Sequence, residues 1–365
     1  MNVLQLCFND GPTSMPYNEL SLGLKDKITQ FVVILDRSIT KNQYPSIKVF
    51  SSNGSVFRMI LQIRQIIKNN QIDVIHLHSG HMWFILFFAL SPFNLSKLNF
   101  TIFTFHTSWN LLTLRNKVFV FFAMFFSRKT IACSKSSYLS IPIILKKFLK
   151  NRTKYIINGF NDAFLNRIIE NKNEKDKYFD THHLKIISVG ALNDNKNHEE
   201  VIKQLSKSKS LKAQFNIIGD GPNKKELKIL AQKVNTEFAG LNVIVYGKLD
   251  REFVIKALVE ADIFISLSKG EGMPVAVLEA MGAGCYTILS KIPSHVEINP
   301  PDFSCSFVTE TDDLENIIDN LNLIGKEKIY EGGQRGRSFV NQNYNLKKML
   351  KEYEDTYLSL KNNLE

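Results

Sequence analysis

The chain has 365 residues, 44% of them hydrophobic, enough for two domains of ordinary size. Its four cysteines, Cys7, Cys133, Cys285 and Cys305, form no CxxC pair and no zinc-like spacing with histidine, which argues against a disulfide framework or structural metal and for a reducing cytoplasm. The net charge of +11 is uneven: residues 1–170 carry 20 Lys/Arg against 7 Asp/Glu (+13), and residues 171–365 carry 26 against 28 (−2).

Short apolar runs alternate with amphipathic segments throughout, the pattern of parallel sheets with crossover helices, so the predicted class is α/β. The N-terminal MNVLQLCFND has no basic n-region and no cleavage site, and residues 3–8 read as a first strand rather than a signal. Further strands are predicted at 31–35, 74–77, 99–105, 130–133 and 155–157. In IHLHSGH (75–81), His76 and His78 share one face of a strand; with no acid or cysteine beside them, packing or a strand-end position is favoured over a metal site. The runs MWFILFFAL (82–90) and VFVFFAMFF (118–126) are nine residues each, far short of the about 20 that span a bilayer. They are expected to form buried helices. The alternative is that a Phe-rich surface flanked by Arg115, Lys117, Arg128 and Lys129 rests on anionic lipid. Residues 166–183, polar and charged, read as a linker.

Strands in the second half are predicted at 185–189, 214–218, 243–246, 263–266 and 286–290. GDGP (219–222) follows one of them and fits a phosphate cradle or a tight turn. KGEGMPVAVLEAMGAG (269–284) follows another and carries Glu271 and Glu279. Pro274 suits the first turn of a helix, because its missing N–H would have no partner there, and the helix is expected to run to about Met281 before Gly282 or Gly284 ends it. Free N–H groups and the positive end of the helix dipole beside Gly272, Met273 and Val275 would seat a phosphate. The two acids, roughly 8 to 10 Å apart on the rise of a helix, would then hold hydroxyls on either side of a diphosphate, the layout of a nucleotide sugar. The tail, 345–360, has a helical stripe of Leu346, Met349, Leu350, Tyr353, Tyr357 and Leu360.

The acidic stretch resembles the Glu-x7-Glu signature of retaining glycosyltransferases of family 4, which have the GT-B fold. FTFHTSW (103–109), IACS (131–134), IINGFN (156–161), KIISVGALNDNKNHEEVI (185–202), FNIIGDGP (215–222) and VIVYGKLDREFVIKALVEADIFISLS (243–268) resemble other family segments in the family's order. The resemblance covers nearly the whole chain and is strongest from Lys185 to Glu297. It implies two Rossmann-like domains facing across a cleft: an N-terminal acceptor-binding domain (1–165 plus 345–365), a linker (166–183) and a C-terminal donor-binding domain (184–344), with the terminal helix crossing back to the first.

Carried over residue by residue, the resemblance implies that Glu271 binds the donor sugar, Glu279 the ribose and Lys196 the diphosphate. Gly190, Gly219, Gly272, Met273, Pro274 and Val275 would line the donor, His106 would touch the sugar near its reacting carbon, and Gly11 would approach the phosphates. Two departures stand out: Ala191 where the family often has Arg, and Asp10-Gly11 where it usually has two glycines. Losing one preorganised donor of charge is worth about 2 to 4 kcal/mol of leaving-group stabilisation.

The implied reaction is retaining and needs no metal or other cofactor, since Lys196 and the helix dipole neutralise the departing diphosphate. Glu271 is expected beside hydroxyls rather than under the anomeric carbon, which argues against a covalent carboxylate intermediate. The implied partners are a nucleotide-sugar donor, a lipid-linked or oligosaccharide acceptor for surface polysaccharide and an anionic membrane surface, with the enzyme peripheral at the cytoplasmic face. The competing readings are a nucleotide-sugar epimerase or sucrose-type synthase, a noncatalytic GT-B binding protein, and a basic nucleic-acid-binding protein. The last lacks a recognition helix.

Overall fold

The structure is a computed structural model describing residues 1–9, 16–36, 44–91, 95–170, 183–208, 211–299, 305–308 and 313–362. Two compact units emerge: Met1–Gly159 with Leu346–Glu365, and Phe160–Asn345.

The first unit runs β1 (Asn2–Cys7), β2 (Thr29–Ile34), β3 (Ile47–Ser51), α1 (Val56–Asn69), β4 (Val74–Leu77) and α2 (Gly80–Leu90). It continues with β5 (Thr101–Phe105), α3 (Leu114–Phe126), β6 (Lys129–Ala132), α4 (Lys135–Ser140), α5 (Ile143–Leu149) and β7 (Thr153–Tyr155). The strands form one parallel sheet in the order β3-β2-β1-β4-β5-β6-β7, so the order reverses between β1 and β4. Successive side chains of a strand point to opposite faces. Leu4, Leu6, Ile75, Leu77, Phe103 and Phe105 therefore pack with α1, α2 and α3, while Val3, Val74, Ile102 and Ile131 pack with the terminal helix.

The second unit runs α6 (Asp162–Glu170), β8 (Leu184–Val189), α7 (His198–Leu205), β9 (Ala213–Ile218), α8 (Lys224–Glu237), β10 (Leu241–Gly247) and α9 (Arg251–Glu260). Then come β11 (Ile263–Ser266), α10 (Val275–Ala283), β12 (Tyr286–Ser290), α11 (Pro293–Glu297), β13 (Cys305–Val308) and α12 (Asp313–Asn343), the last interrupted at Gly325. This sheet is also parallel, in the order β10-β9-β8-β11-β12-β13, and reverses between β8 and β11. In open parallel sheets, ligands bind beyond the carboxyl ends of the strands at such a reversal. The last helix, α13 (Leu346–Asn362), returns to the first unit, where Met349, Tyr353, Tyr357 and Leu360 enter the core.

The linker stretch begins differently from its expected form. Residues 162–170 are helical and belong to the second unit, because Leu165 is buried and packs with Phe160 beneath Gly282 of α10; residues 171–182 lie outside the described residues. The two aromatic runs also differ from each other. The α2 run is mostly buried, whereas α3 buries Val120, Ala123 and Met124 and leaves Val118, Phe121, Phe125 and Phe126 exposed.

Candidate active site

The loops after β8 and β11, on either side of the reversal in the second unit, carry the charged residues. Beyond the end of β8 the chain stays paired with the segment after β9: Gly190 N–H donates to the Ile218 carbonyl (3.0 Å) and Leu192 N–H to the Asp220 carbonyl (3.0 Å). Gly219 permits this approach, since a Cβ there would lie 1.7 Å from the Gly190 carbonyl oxygen. Gly190 in turn leaves room for the stem of Lys196, whose Cε would be 3.0 Å from a Cβ at position 190.

Lys196 reaches across the reversal. Its Nζ is 2.7 Å from Glu271 Oε1, and Ser268 Oγ donates to the same oxygen at 2.7 Å. Asn195 clasps the two loops: its Nδ2 donates to the Gly270 carbonyl (2.8 Å), and its own carbonyl accepts from Lys269 N–H (2.8 Å). Both charged side chains are largely buried, at 19% exposure for Lys196 and 11% for Glu271, so the pair sits where Coulomb interactions are only partly screened. Behind Glu271 lies His295 of α11. Its side chain is fully buried, with Nε2 3.9 Å from Glu271 Oε1 and Nδ1 2.9 Å from the Ser290 carbonyl oxygen.

The start of α10 departs from the expected form. Pro274 caps the helix rather than occupying its first turn, and with φ −81° and ψ 72° it makes an inverse γ-turn in which Val275 N–H donates to the Met273 carbonyl (3.0 Å). One of the amides expected to face a phosphate is thus turned onto the loop itself. Met273 is buried. At its other end the helix runs to Ala283, with Gly282 inside it; Gly284, at φ 88°, closes it as Gly284 N–H bonds to Met281 O and Cys285 N–H to Ala280 O.

Glu279 lies deeper, at 4% exposure. Burial raises its carboxyl above the ordinary glutamate value, opposed by the guanidinium of Arg251, which opens α9 and holds Glu279 Oε1 by a hydrogen-bonded ion pair.

In the first unit, His106 follows β5 and is one wall of a pocket of about 140 Å³, with His81, Asn116 and Phe119 on others. Its Nε2 is 3.2 Å from His78 Nδ1 and the rings stack at 5.5 Å. Burial lowers His106 to about 4, which keeps the ring neutral at neutral pH. His78 Nε2 continues to Gln5 Oε1 (2.9 Å), and Gln5 to Ser21 and Gln30. His76 sits alongside, bonded to Tyr357 of α13 (2.7 Å) and Thr104 (2.6 Å). Among the described residues there is no group of three or more His, Cys, Asp and Glu that could hold a metal ion; His76 of β4 and His78 just beyond it are buried and hydrogen-bonded. Gly11 lies outside the described residues.

Two family models match the chain: Glycosyl transferases group 1 over residues 169–337 and Glycosyltransferase Family 4 over residues 24–138. The chain belongs to the family 4 glycosyltransferases. Its fold is GT-B: Anabaena HepE, solved with UDP-glucose, superimposes with a TM-score of 0.76 at 17% identity over 98% of this chain and 100% of that one. The sucrose-phosphate synthase of Thermosynechococcus elongatus gives a TM-score of 0.75 at 14% identity over 99% of each. An uncharacterized 41.2 kDa protein in the cps region of Klebsiella pneumoniae is 24% identical over 343 residues, 90% of this chain and 91% of its own. The UDP-Gal:alpha-D-GlcNAc-diphosphoundecaprenol alpha-1,3-galactosyltransferase of Escherichia coli is 26% identical over 147 residues, 40% of this chain and 37% of that one.

In this glycosyltransferase the second unit gathers Gly190, Lys196, Gly219, Glu271 and the 272–275 segment at the carboxyl ends of β8, β9 and β11, with Glu279 one turn into α10. His106 belongs to the first unit. Sequence reasoning missed Arg251, Ser268 and His295. Arg251 and Ser268 lie inside the segment that resembles the family, yet nothing in their spacing announces a partner. His295 stands alone in IPSHVE, and only the turn of chain after β12 brings it behind Glu271.

Proposed function

We propose that this glycosyltransferase is retaining and metal-independent and moves a sugar from a nucleotide-diphosphate donor to a lipid-linked oligosaccharide or related surface-polysaccharide precursor. The observation that carries the proposal is the Lys196–Glu271 pair, a buried ammonium and carboxylate held at 2.7 Å beside the start of α10. A diphosphate would draw Lys196 to itself and free Glu271 for sugar hydroxyls, so donor binding exchanges one charge-assisted contact for two. As the glycosidic bond breaks, Lys196 and the positive end of α10 stabilise the departing diphosphate. A phosphate oxygen of the leaving group takes the acceptor proton on the same face of the sugar. Glu279, fixed by Arg251, is assigned to the ribose. Contact of the neutral His106 ring with the donor sugar belongs to the same proposal, supported by its position in a pocket beyond β5.

The E. coli relative's name describes a UDP-sugar donor and a diphosphoundecaprenol-linked acceptor, and HepE was solved with UDP-glucose; both support a uridine diphosphate sugar and a lipid-linked acceptor here. A seat on anionic membrane at the cytoplasmic face is supported by the exposed apolar side chains of α3 and α5, including Leu114, Ile143, Ile144 and Phe148, among Arg115, Lys117, Lys146 and Lys147. No helix of the described residues is long and apolar enough to cross a membrane. No nucleic-acid partner is proposed.

The test is incubation with radiolabelled UDP-sugars and extracted polyprenyl-diphosphate oligosaccharides, with and without chelator. Transfer that retains the anomeric configuration and survives chelation supports the reading. Transfer with inversion or chelator-sensitive transfer overturns the mechanism, and absence of both transfer and donor hydrolysis overturns the activity.

A further inference from the structure

His295 has a fixed tautomer. A backbone carbonyl can only accept, so Nδ1, 2.9 Å from the Ser290 carbonyl oxygen, carries a proton. In the neutral ring Nε2 is then a bare lone pair facing the Glu271 carboxylate, another acceptor, at 3.9 Å. The two cannot bond in that form, and Nε2 is a buried atom with no hydrogen-bond partner. Buried polar atoms normally find partners, and one proton added at Nε2 would supply it. The charged groups that act on the ring are Glu271 from the loop after β11 and Lys196 from the loop ahead of α7; from β12 it meets the Ser290 carbonyl and hydroxyl.

We propose that His295 is a positioning residue for Glu271: when a diphosphate engages Lys196, His295 takes a proton from solvent at Nε2 and replaces Lys196 as the hydrogen-bonded counter-charge of the carboxylate. This rests on the donor assignment above. The ring then holds Glu271 in place for the sugar, and releases the proton when Lys196 returns with product departure. The electrostatics of the site agree in sign. Burial lowers His295 below the ordinary histidine value, Glu271 and the Ser290 carbonyl oppose that, and Lys196 reinforces it. Taking Lys196 away removes a cation from the ring's surroundings and leaves burial alone against the pull of the carboxylate and the Ser290 carbonyl.

The direct test needs no donor. In chain labelled with ¹⁵N-histidine, the His295 ring signals, assigned by their loss in His295→Gln, are titrated by NMR in the full-length protein and in the variants Lys196→Met and Glu271→Gln. The midpoint is expected to move up in the first and down in the second. A midpoint that stays put or moves the opposite way in either overturns the inference, and each variant suffices should the other not fold. Calorimetry with UDP-glucose, which has no phosphate titrating near neutrality, in buffers of different ionisation enthalpy supplies the second arm. Donor affinity is expected to rise as pH falls, with uptake of up to about one proton per donor. His295→Gln, whose amide donates without titrating, should abolish both the uptake and the pH dependence, and persistence of uptake in that variant overturns the inference. Failure of UDP-glucose to bind while the ring titrations shift as expected would count against the donor assignment alone.

Discussion

Replacing Arg251 with alanine isolates the buried carboxylate of Glu279. The Glu279 side chain is 6% exposed and that of Arg251 26%. Removing one partner of a buried pair costs about 3 to 5 kcal/mol, and the partial exposure of Arg251 places the expected loss at the lower end, about 3 kcal/mol. In a unit of this size that is a fall of roughly 6 to 12 °C in Tm. Glu279→Gln should cost much less, because Arg251 can turn its guanidinium toward water, and adding it to Arg251→Ala should recover most of the stability. The pH dependence has a definite sign. Burial raises Glu279 in the folded chain, so between its unfolded value of about 4.3 and its folded value the native state binds the extra proton and stability falls as pH rises. Without Arg251 the raised value climbs further. The cost of Arg251→Ala should therefore be small near pH 4.5 and grow toward neutrality, as read by urea unfolding across that range. A cost below about 1 kcal/mol that is flat with pH, or no recovery with Glu279→Gln, would show that Arg251 is not the counter-charge.

Gly219→Ala forces a Cβ against the Gly190 backbone and should cost more than about 2 kcal/mol in unfolding experiments. Gly190→Ala meets only the flexible end of Lys196, so it should fold while weakening donor binding by about tenfold. His76 and His78 are held below the ordinary histidine value by burial; their neutral forms stabilise the first unit above about pH 6.5, and each should add up to about 1.4 kcal/mol per pH unit of loss as pH falls below that, measurable by unfolding at pH 7 and pH 5.5. Changing Ile143, Ile144 and Phe148 together to serine should abolish flotation with vesicles containing anionic lipid without altering Tm; unchanged flotation would refute the proposed membrane seat.

The central strands were legible because Val3, Val74, Ile102, Ile186 and Ile263 stand in short, doubly buried apolar runs. The two strands missed, β3 and β13, are both sheet edges, where one side of the backbone has no partner strand and apolar demand is weaker. IKVFS has two polar residues in five, and CSFV opens on Cys and Ser rather than on an apolar run. The tail was legible as a helix from its stripe and the resemblance placed it with the first domain, where Tyr353 and Tyr357 meet Thr104 and His76. In the candidate site, Glu271 and Glu279 stand out in the sequence through the Glu-x7-Glu spacing, and Lys196 through the resemblance of residues 185–202. Their partners Arg251, Ser268 and His295 come from separate elements, and no local period links residues that only the sheet brings together. The Val275 amide was misjudged because a proline's effect on the turn before a helix is decided by ψ, which sequence does not specify.

The central claim is that Lys196, Glu271 and Glu279 hold a nucleotide sugar at the start of α10. Its most direct measurement is calorimetric titration of UDP-glucose and a panel of other nucleotide sugars into the intact protein and into the Glu271→Gln, Glu279→Gln double variant. At least one donor should bind the intact protein, and the double variant should bind it more than about tenfold less tightly. Equal affinity in both proteins, or no affinity in the intact one for any donor, would contradict the claim.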